Sequence, residues 1–176
     1  MTTLQVICGE GQVAAPDPAK IESVERLRRE DFILAAIPIM SFERVLHLGC
    51  ADGSLTLRLP GASILGIIPP SQIVESSTQN GVGCDRVRFA CTDVAHVAQA
   101  SMEAFDLIVV TGGMDTATGV SFPIACGALL RLAKSGAFII HDRSARPIRP
   151  SLPLRRIDQF IYRLGNELQI LEIFIA

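Results

Sequence analysis

Between Phe42 and Asp142, short runs of consecutive apolar residues alternate with stretches of helical spacing, and this pattern restricts the fold more than any other feature of the chain. A strand that is apolar on both faces has to be covered on both, as in a parallel sheet between two layers of helix. Strands are predicted at Arg44–Leu48, Ser63–Ile68, Val87–Cys91, Asp106–Thr111 and Ala137–His141, and helices at Gly53–Leu59, Ser71–Asn80, Val94–Ser101 and Thr118–Ala133. Strict alternation with right-handed crossovers gives a doubly wound α/β domain.

Asp17 offers an N-cap with Pro18 at the first helical position, and Ile21, Val24 and Leu27 recur at helical spacing. Glu22/Arg26 and Glu25/Arg29 form i,i+4 pairs on the other face, so a helix to about Ala36 is expected. Residues 1–16 carry small and turn-forming residues without a period and read as a loose leader. The tail can be a helix followed by a strand, or a hairpin turning at Gly165-Asn166. The hairpin is preferred because the run after Leu168 is rich in β-formers. One domain of 176 residues is expected, made of a leader and helix (1–40), a core (42–142), an arginine- and proline-rich loop (143–156) and a hairpin (157–176).

A net charge of -2 supplies no global field to gather nucleic acid or an anionic membrane. No apolar run approaches the roughly 20 residues that span a bilayer. The cysteines Cys8, Cys50, Cys84, Cys91 and Cys126 show no Cys-x-x-Cys spacing, which argues for reduced thiols and against a zinc site or a disulfide framework. A cytoplasmic protein without metal is the corresponding expectation.

In open α/β sheets, ligands bind beyond the C-terminal ends of the strands. After the first strand, the turn Gly49-Cys50-Ala51-Asp52-Gly53 lies in that place, small enough for a ligand to approach bare backbone at a helix N-terminus. Its spacing is Gly-x-Ala-x-Gly, not the dinucleotide Gly-x-Gly-x-x-Gly, and the next strand ends in Ile67-Ile68 without an acid. A nicotinamide or flavin dinucleotide is therefore disfavoured.

The segment "VLHLGCADGSLT" resembles the first motif of the class I S-adenosylmethionine-dependent methyltransferases. The resemblance continues in order through "ILGIIPPSQIV", "VRFACTDV", "FDLIVVTGG" and "LLRLAKSGAFIIHD", over about residues 42 to 142. It implies a Rossmann-like sheet of order 3-2-1-4-5-7-6 with a C-terminal hairpin, and S-adenosylmethionine as cofactor. The positions it assigns to that cofactor are His47, Gly49, Cys50, Ala51, Gly53, Ile68, Pro69, Asp93, Val94, Thr111 and Gly112.

Two of these depart from the family's pattern. His47 stands where an acid is usual, and Ile68 stands where an acid would accept hydrogen bonds from the ribose hydroxyls. Loss of such a charge-assisted bond costs about 1.5 to 3 kcal/mol. His47 reads either as a proton shuttle or as a satisfied core residue, with the core reading favoured. Asp93 reads equally as an adenine contact or as the cap of the next helix.

His141-Asp142 closes the fifth strand on the rim where substrate enters. The histidine could take a proton from the methyl acceptor with Asp142 orienting its ring, or the pair could simply end a strand. Arg143, Arg146 and Arg149, with Arg155 and Arg156, lie among three prolines in residues 142–156, a segment suited to close over an anionic substrate or to remain a solvated loop. It has no interleaved aromatic for base stacking, so nucleic acid is disfavoured. The reading that follows is methyl transfer from S-adenosylmethionine to a small, anionic or neutral molecule. Its rival is a member of the same fold with weakened cofactor binding, acting as a non-catalytic subunit, and the sheet edge and apolar content suit a homodimer or hetero-subunit.

Overall fold

The computed structural model describes residues 18–50, 52–70, 85–100, 104–145 and 152–176, with the side chains of the first helix described from Val24 onward. Ala51, Arg146, Arg149, the leader and the helix predicted at Ser71–Asn80 lie outside the described residues.

The elements run α1 (Pro18–Ala36), β1 (Arg44–Leu48), α2 (Ser54–Arg58), β2 (Ser63–Ile68), β3 (Val87–Cys91), α3 (Val94–Ala100), β4 (Phe105–Thr111), α4 (Met114–Thr118), α5 (Phe122–Leu132), β5 (Ala133–Ser144), β6 (Arg155–Leu164) and β7 (Glu167–Ile175). They form a seven-stranded sheet of order β3-β2-β1-β4-β5-β7-β6. The first five strands are parallel, and β7 enters antiparallel between β5 and β6. The order implied by the family resemblance and the hairpin at Gly165-Asn166 are both found.

Successive strand residues face opposite layers. On β1, Leu46 and Leu48 join a core with α3, α4 and α5, built on Val110, Met114, Leu129, Ile139 and Phe174. Val45 on the other face joins Ile33 of α1 and Ile37 just beyond it with Leu55 and Leu59 of the α2 region. Covering on both faces is what the apolar runs required.

Two elements differ from their predicted limits. The helix expected over Thr118–Ala133 is divided into α4 and α5. Gly119, at φ 76°, ends α4 in the left-handed conformation that glycine adopts readily, and Pro123 in the first turn of α5 lacks only an N–H that has no partner there. β5 extends beyond Ala137–His141 to Ala133–Ser144, because β7 pairs with it from Phe138 through Ser144.

Candidate functional site

The turn after β1 is held open by its own backbone. Gly49 and Gly53 have φ of 79° and 80°, and Gly53 N–H closes the turn on Cys50 O at 2.6 Å. A Cβ on Gly49 would lie 2.4 Å from Thr111 O, so glycine is required by space as well as by conformation. Asp52, just before the N-cap Gly53, accepts from Ser54 N at 3.1 Å and Ser54 Oγ at 2.9 Å at the start of α2. Partial burial pushes the Asp52 carboxyl up, and these bonds together with Arg26 outweigh it and hold the group below its ordinary range.

His47 lies under this turn, 2 % exposed. Its Nδ1 is 2.7 Å from Thr56 Oγ1 on α2, and its Nε2 is 3.2 Å from Thr111 Oγ1 at the end of β4. The Thr111 hydroxyl donates to Gly49 O at 2.8 Å, so its oxygen is the acceptor for the ring. The tautomer that satisfies all three bonds carries the proton on Nε2, with Thr56 donating to Nδ1. Burial, then the nearby Arg29 cation, push the His47 pKa down to about 3, so the ring is neutral. The favoured core reading of His47 describes this geometry: it ties the turn to β4 and α2.

Two predicted positions meet farther along the strand ends, at a glycine that was not predicted. Pro69 after β2 and Asp93 before α3 both approach Gly119, where a Cβ would lie 3.3 Å and 3.2 Å from their Cβ atoms. Asp93 Oδ1 accepts from His96 N at 2.8 Å, the capping role considered for it. Ile68 and Val94 are buried at 4 % and 0 % exposure and belong to the core. Cys50 is also buried, and desolvation pushes its thiol up to about 12, so it is a small core residue and no nucleophile. Gly112, at φ 99°, donates its N–H to Asp142 O at 2.7 Å and joins the ends of β4 and β5.

The predicted His141–Asp142 couple does not form. Consecutive strand residues point to opposite faces, and both side chains are buried, at 2 % and 0 % exposure. Asp142 turns toward α1, where it accepts from Arg29 Nε at 2.5 Å and from Tyr162 Oη at 2.6 Å. His141 turns to the other layer. Its Nε2 donates to Gly112 O at 3.2 Å, and its Nδ1 has no hydrogen-bond partner, lying 4.0 Å from Glu172 Oε2. Burial pushes the His141 pKa below its ordinary value. Arg143 is equally committed, donating from Nε to Glu172 Oε2 at 3.0 Å, with Arg156 on the other oxygen at 3.0 Å.

Helix α1 is the part of the site that sequence reasoning missed. Arg26 pairs with Asp52 at 2.5 Å, Glu30 accepts from Ser54 Oγ, and Arg29 reaches Asp142, so α1 lies across the turn. Between helix and turn is a cavity of about 100 Å³ lined by Arg26, Arg29, Glu30, His47, Gly49, Cys50, Asp52 and Thr111. Spacing gave Arg26 and Arg29 local glutamate partners, and nothing in the sequence joined α1 to residues so far along the chain. A larger cleft, about 560 Å³, lies at the N-terminal ends of the strands beside Asp106, Lys134 and Phe138. That is the end of the sheet opposite to where this architecture binds ligands.

No family model matches the chain, and no curated protein matches it. Solved structures do. The N-methyltransferase NodS from Bradyrhizobium japonicum WM9, in complex with S-adenosyl-L-homocysteine, is 18% identical with a TM-score of 0.72, over 93% of this chain and 93% of that one. The [4+2]-cyclase SpnF is 16% identical with a TM-score of 0.61, over 88% and 82%. A protein solved in complex with the Haloferax volcanii Trm112 methyltransferase activator is 13% identical with a TM-score of 0.65, over 90% and 94%. With its strand order and its glycine turn after β1, the chain is built on the Rossmann-like fold of the class I methyltransferases.

Proposed function

We propose that this protein binds S-adenosylmethionine at the Gly49–Gly53 turn and transfers its methyl group to a small molecule. The observation that carries the reading is the turn itself: two left-handed glycines of a methyltransferase fold, beside a cavity bearing both charge signs. The amino-acid end of such a cofactor has a carboxylate and an ammonium. Arg26 and Arg29 suit the first, and Glu30 and Asp52 suit the second. The NodS likeness, bound to the demethylated product, supports the same assignment.

The fit is partial at the nucleoside end. The cavity of about 100 Å³ is well below the roughly 300 Å³ and upward of pockets that enclose a ligand of this size. Gly119 stands close to Pro69 and Asp93 where the adenine would lie, so binding requires the end of α4 to draw back. Ile68 offers the ribose no acceptor.

The cofactor supplies an electrophilic methyl group on a sulfonium, and the chain's part is to bind, to align and to keep water out. Holding an acceptor in line with that methyl is the larger part of such catalysis, so a base is dispensable. Of the two residues predicted as catalytic, His141 retains a ring nitrogen able to take a proton, whereas Asp142 positions α1 through Arg29. The loop arginines Arg146 and Arg149 fit an anionic acceptor, and replacing both should raise its Michaelis constant; an unaltered constant would remove that part of the reading.

A second reading is favoured by Ile68 and by the approach of Gly119 to Asp93: a non-catalytic subunit on the same fold. Titration calorimetry with S-adenosylmethionine and S-adenosylhomocysteine separates the two. Saturable heat supports the first, and its absence at millimolar ligand overturns it.

A further inference from the structure

We propose that the outer edge of β6 pairs antiparallel with β6 of a second copy of this chain, about a two-fold axis through Ile161. β6 ends the sheet and is bonded to β7 alone among the described residues, which leaves a row of outward backbone donors and acceptors. At one end of this edge the register shifts between Arg156 and Asp158, leaving Ile157 bulged; at the other the chain turns at Gly165-Asn166. The regular edge is therefore Asp158–Leu164. Its apolar side chains are not covered: Phe160 is 46% exposed on the α1 face, and Ile161 is 65% exposed on the opposite face.

A two-fold axis normal to a sheet returns each side chain to its own face, so residues facing across the axis must come from the same face. Centring on Ile161 matches Asp158–Leu164 to its full length, stopping at the bulge on one side and at the turn on the other. Ile161 then meets its own copy. Phe160 faces Tyr162 of the partner subunit, beside the ring of Phe32 that stacks on each Tyr162 at 4.7 Å. Gln159 faces Arg163 of the partner subunit, and no like charges oppose. Neighbouring registers are worse: a centre on Phe160 sets Arg163 against the bulged Ile157, and a centre on Gln159 sets Arg155 against Arg163. Of the charged residues of β6, Arg155 and Arg156 lie outside the matched stretch, and Asp158 and Arg163 within it face the uncharged Leu164 and Gln159 of the partner subunit. The pattern complements itself, which is why a second copy is the occupant and not an unrelated strand.

Sedimentation velocity across the micromolar range tests this, since the short interface belongs to the weaker size class. The wild-type chain is expected to dimerise, and Ile161→Lys to weaken the dimer by at least about thirtyfold without altering the circular dichroism spectrum. In oxidising buffer, Ile161→Cys is expected to give a disulfide-linked dimer above the wild-type background, and Gln159→Cys none. A wild-type chain that stays monomeric overturns the proposal. So does a dimer that Ile161→Lys leaves intact, or one that Gln159→Cys cross-links and Ile161→Cys does not.

Discussion

Arg29 and Asp142, 113 residues apart in the chain, meet in an ion pair of 2.5 Å that joins α1 to the end of β5. The carboxylate is fully buried, and its other oxygen accepts from Tyr162 of β6. Three separate parts of the chain are thus held by one acidic side chain, and the α1 wall of the cavity beside the glycine turn depends on it. Asp142 works here as a structural anchor, which explains why it does not reach His141.

Removing one partner of this pair leaves a buried charge short of a donor. Arg29→Met is expected to lower stability by about 2 to 3 kcal/mol, the smaller end for a buried pair because the Arg29 side chain is 30% exposed. Urea unfolding measures it. Adding Asp142→Asn to Arg29→Met should recover part of the loss, and a change under about 0.5 kcal/mol in the single variant would show that the pair does not hold α1.

The neutral ring of His47 makes stability depend on pH. In the unfolded chain a histidine titrates near 6.5, whereas in the folded protein burial holds His47 down at about 3. Between these values the unfolded state binds one proton more, so its contribution is fully present above pH 6.5 and is lost progressively as pH falls toward 3. The slope is up to about 1.4 kcal/mol per pH unit. His141, shifted in the same direction by burial, adds to it. Unfolding free energies from pH 7 to pH 4 should therefore fall less steeply in His47→Gln. An equal slope in variant and wild type would mean that His47 is not buried neutral.

Space separates two glycines with the same φ of 79°. A methyl group on Gly49 meets Thr111 O at 2.4 Å, whereas on Gly136 it meets nothing within 4 Å. Gly136→Ala should cost about 1 kcal/mol, the strain of the left-handed conformation alone. Gly49→Ala should cost on the order of 3 kcal/mol, because Thr111 and the His47 bridge must shift with it. Thermal melts of the two variants rank them, and equal losses would remove the steric argument for the turn.

The fold was legible because the apolar runs that form β1, β2 and β4 are strands buried on both faces, and periodicity reports that directly. The helix over Thr118–Ala133 was overextended because Gly119 and Pro123 could each be accommodated singly in a helical pattern. Together they end one helix and start another. In the candidate site the glycine turn was legible, since it is a local constraint written in consecutive residues. The partners of Asp142, His47 and Arg143 were not, because Arg29, Thr111 and Glu172 come to them through the sheet and α1, at sequence distances that no spacing rule records.

On the proposed reading, Ile68 limits how tightly the cofactor is held. It sits 4% exposed at the end of β2, where a carboxylate would accept from two ribose hydroxyls. Ile68→Asp is expected to tighten S-adenosylmethionine by about tenfold or more, from a charge-assisted bond worth about 1.5 to 3 kcal/mol reduced by the cost of burying the acid. The free protein should lose about 1 to 3 kcal/mol of stability, since without ligand the new carboxylate is desolvated with no donor supplied. Gly119→Ala should act in the opposite direction on binding, because its methyl group stands 3.2 Å from Asp93 Cβ and 3.3 Å from Pro69 Cβ, where the proposal puts the nucleoside. Calorimetry on the two variants and the wild type reads both effects. Tighter binding in Ile68→Asp with weaker binding in Gly119→Ala places the nucleoside between β2 and α4, whereas unchanged affinity in both puts the ligand outside the strand ends altogether.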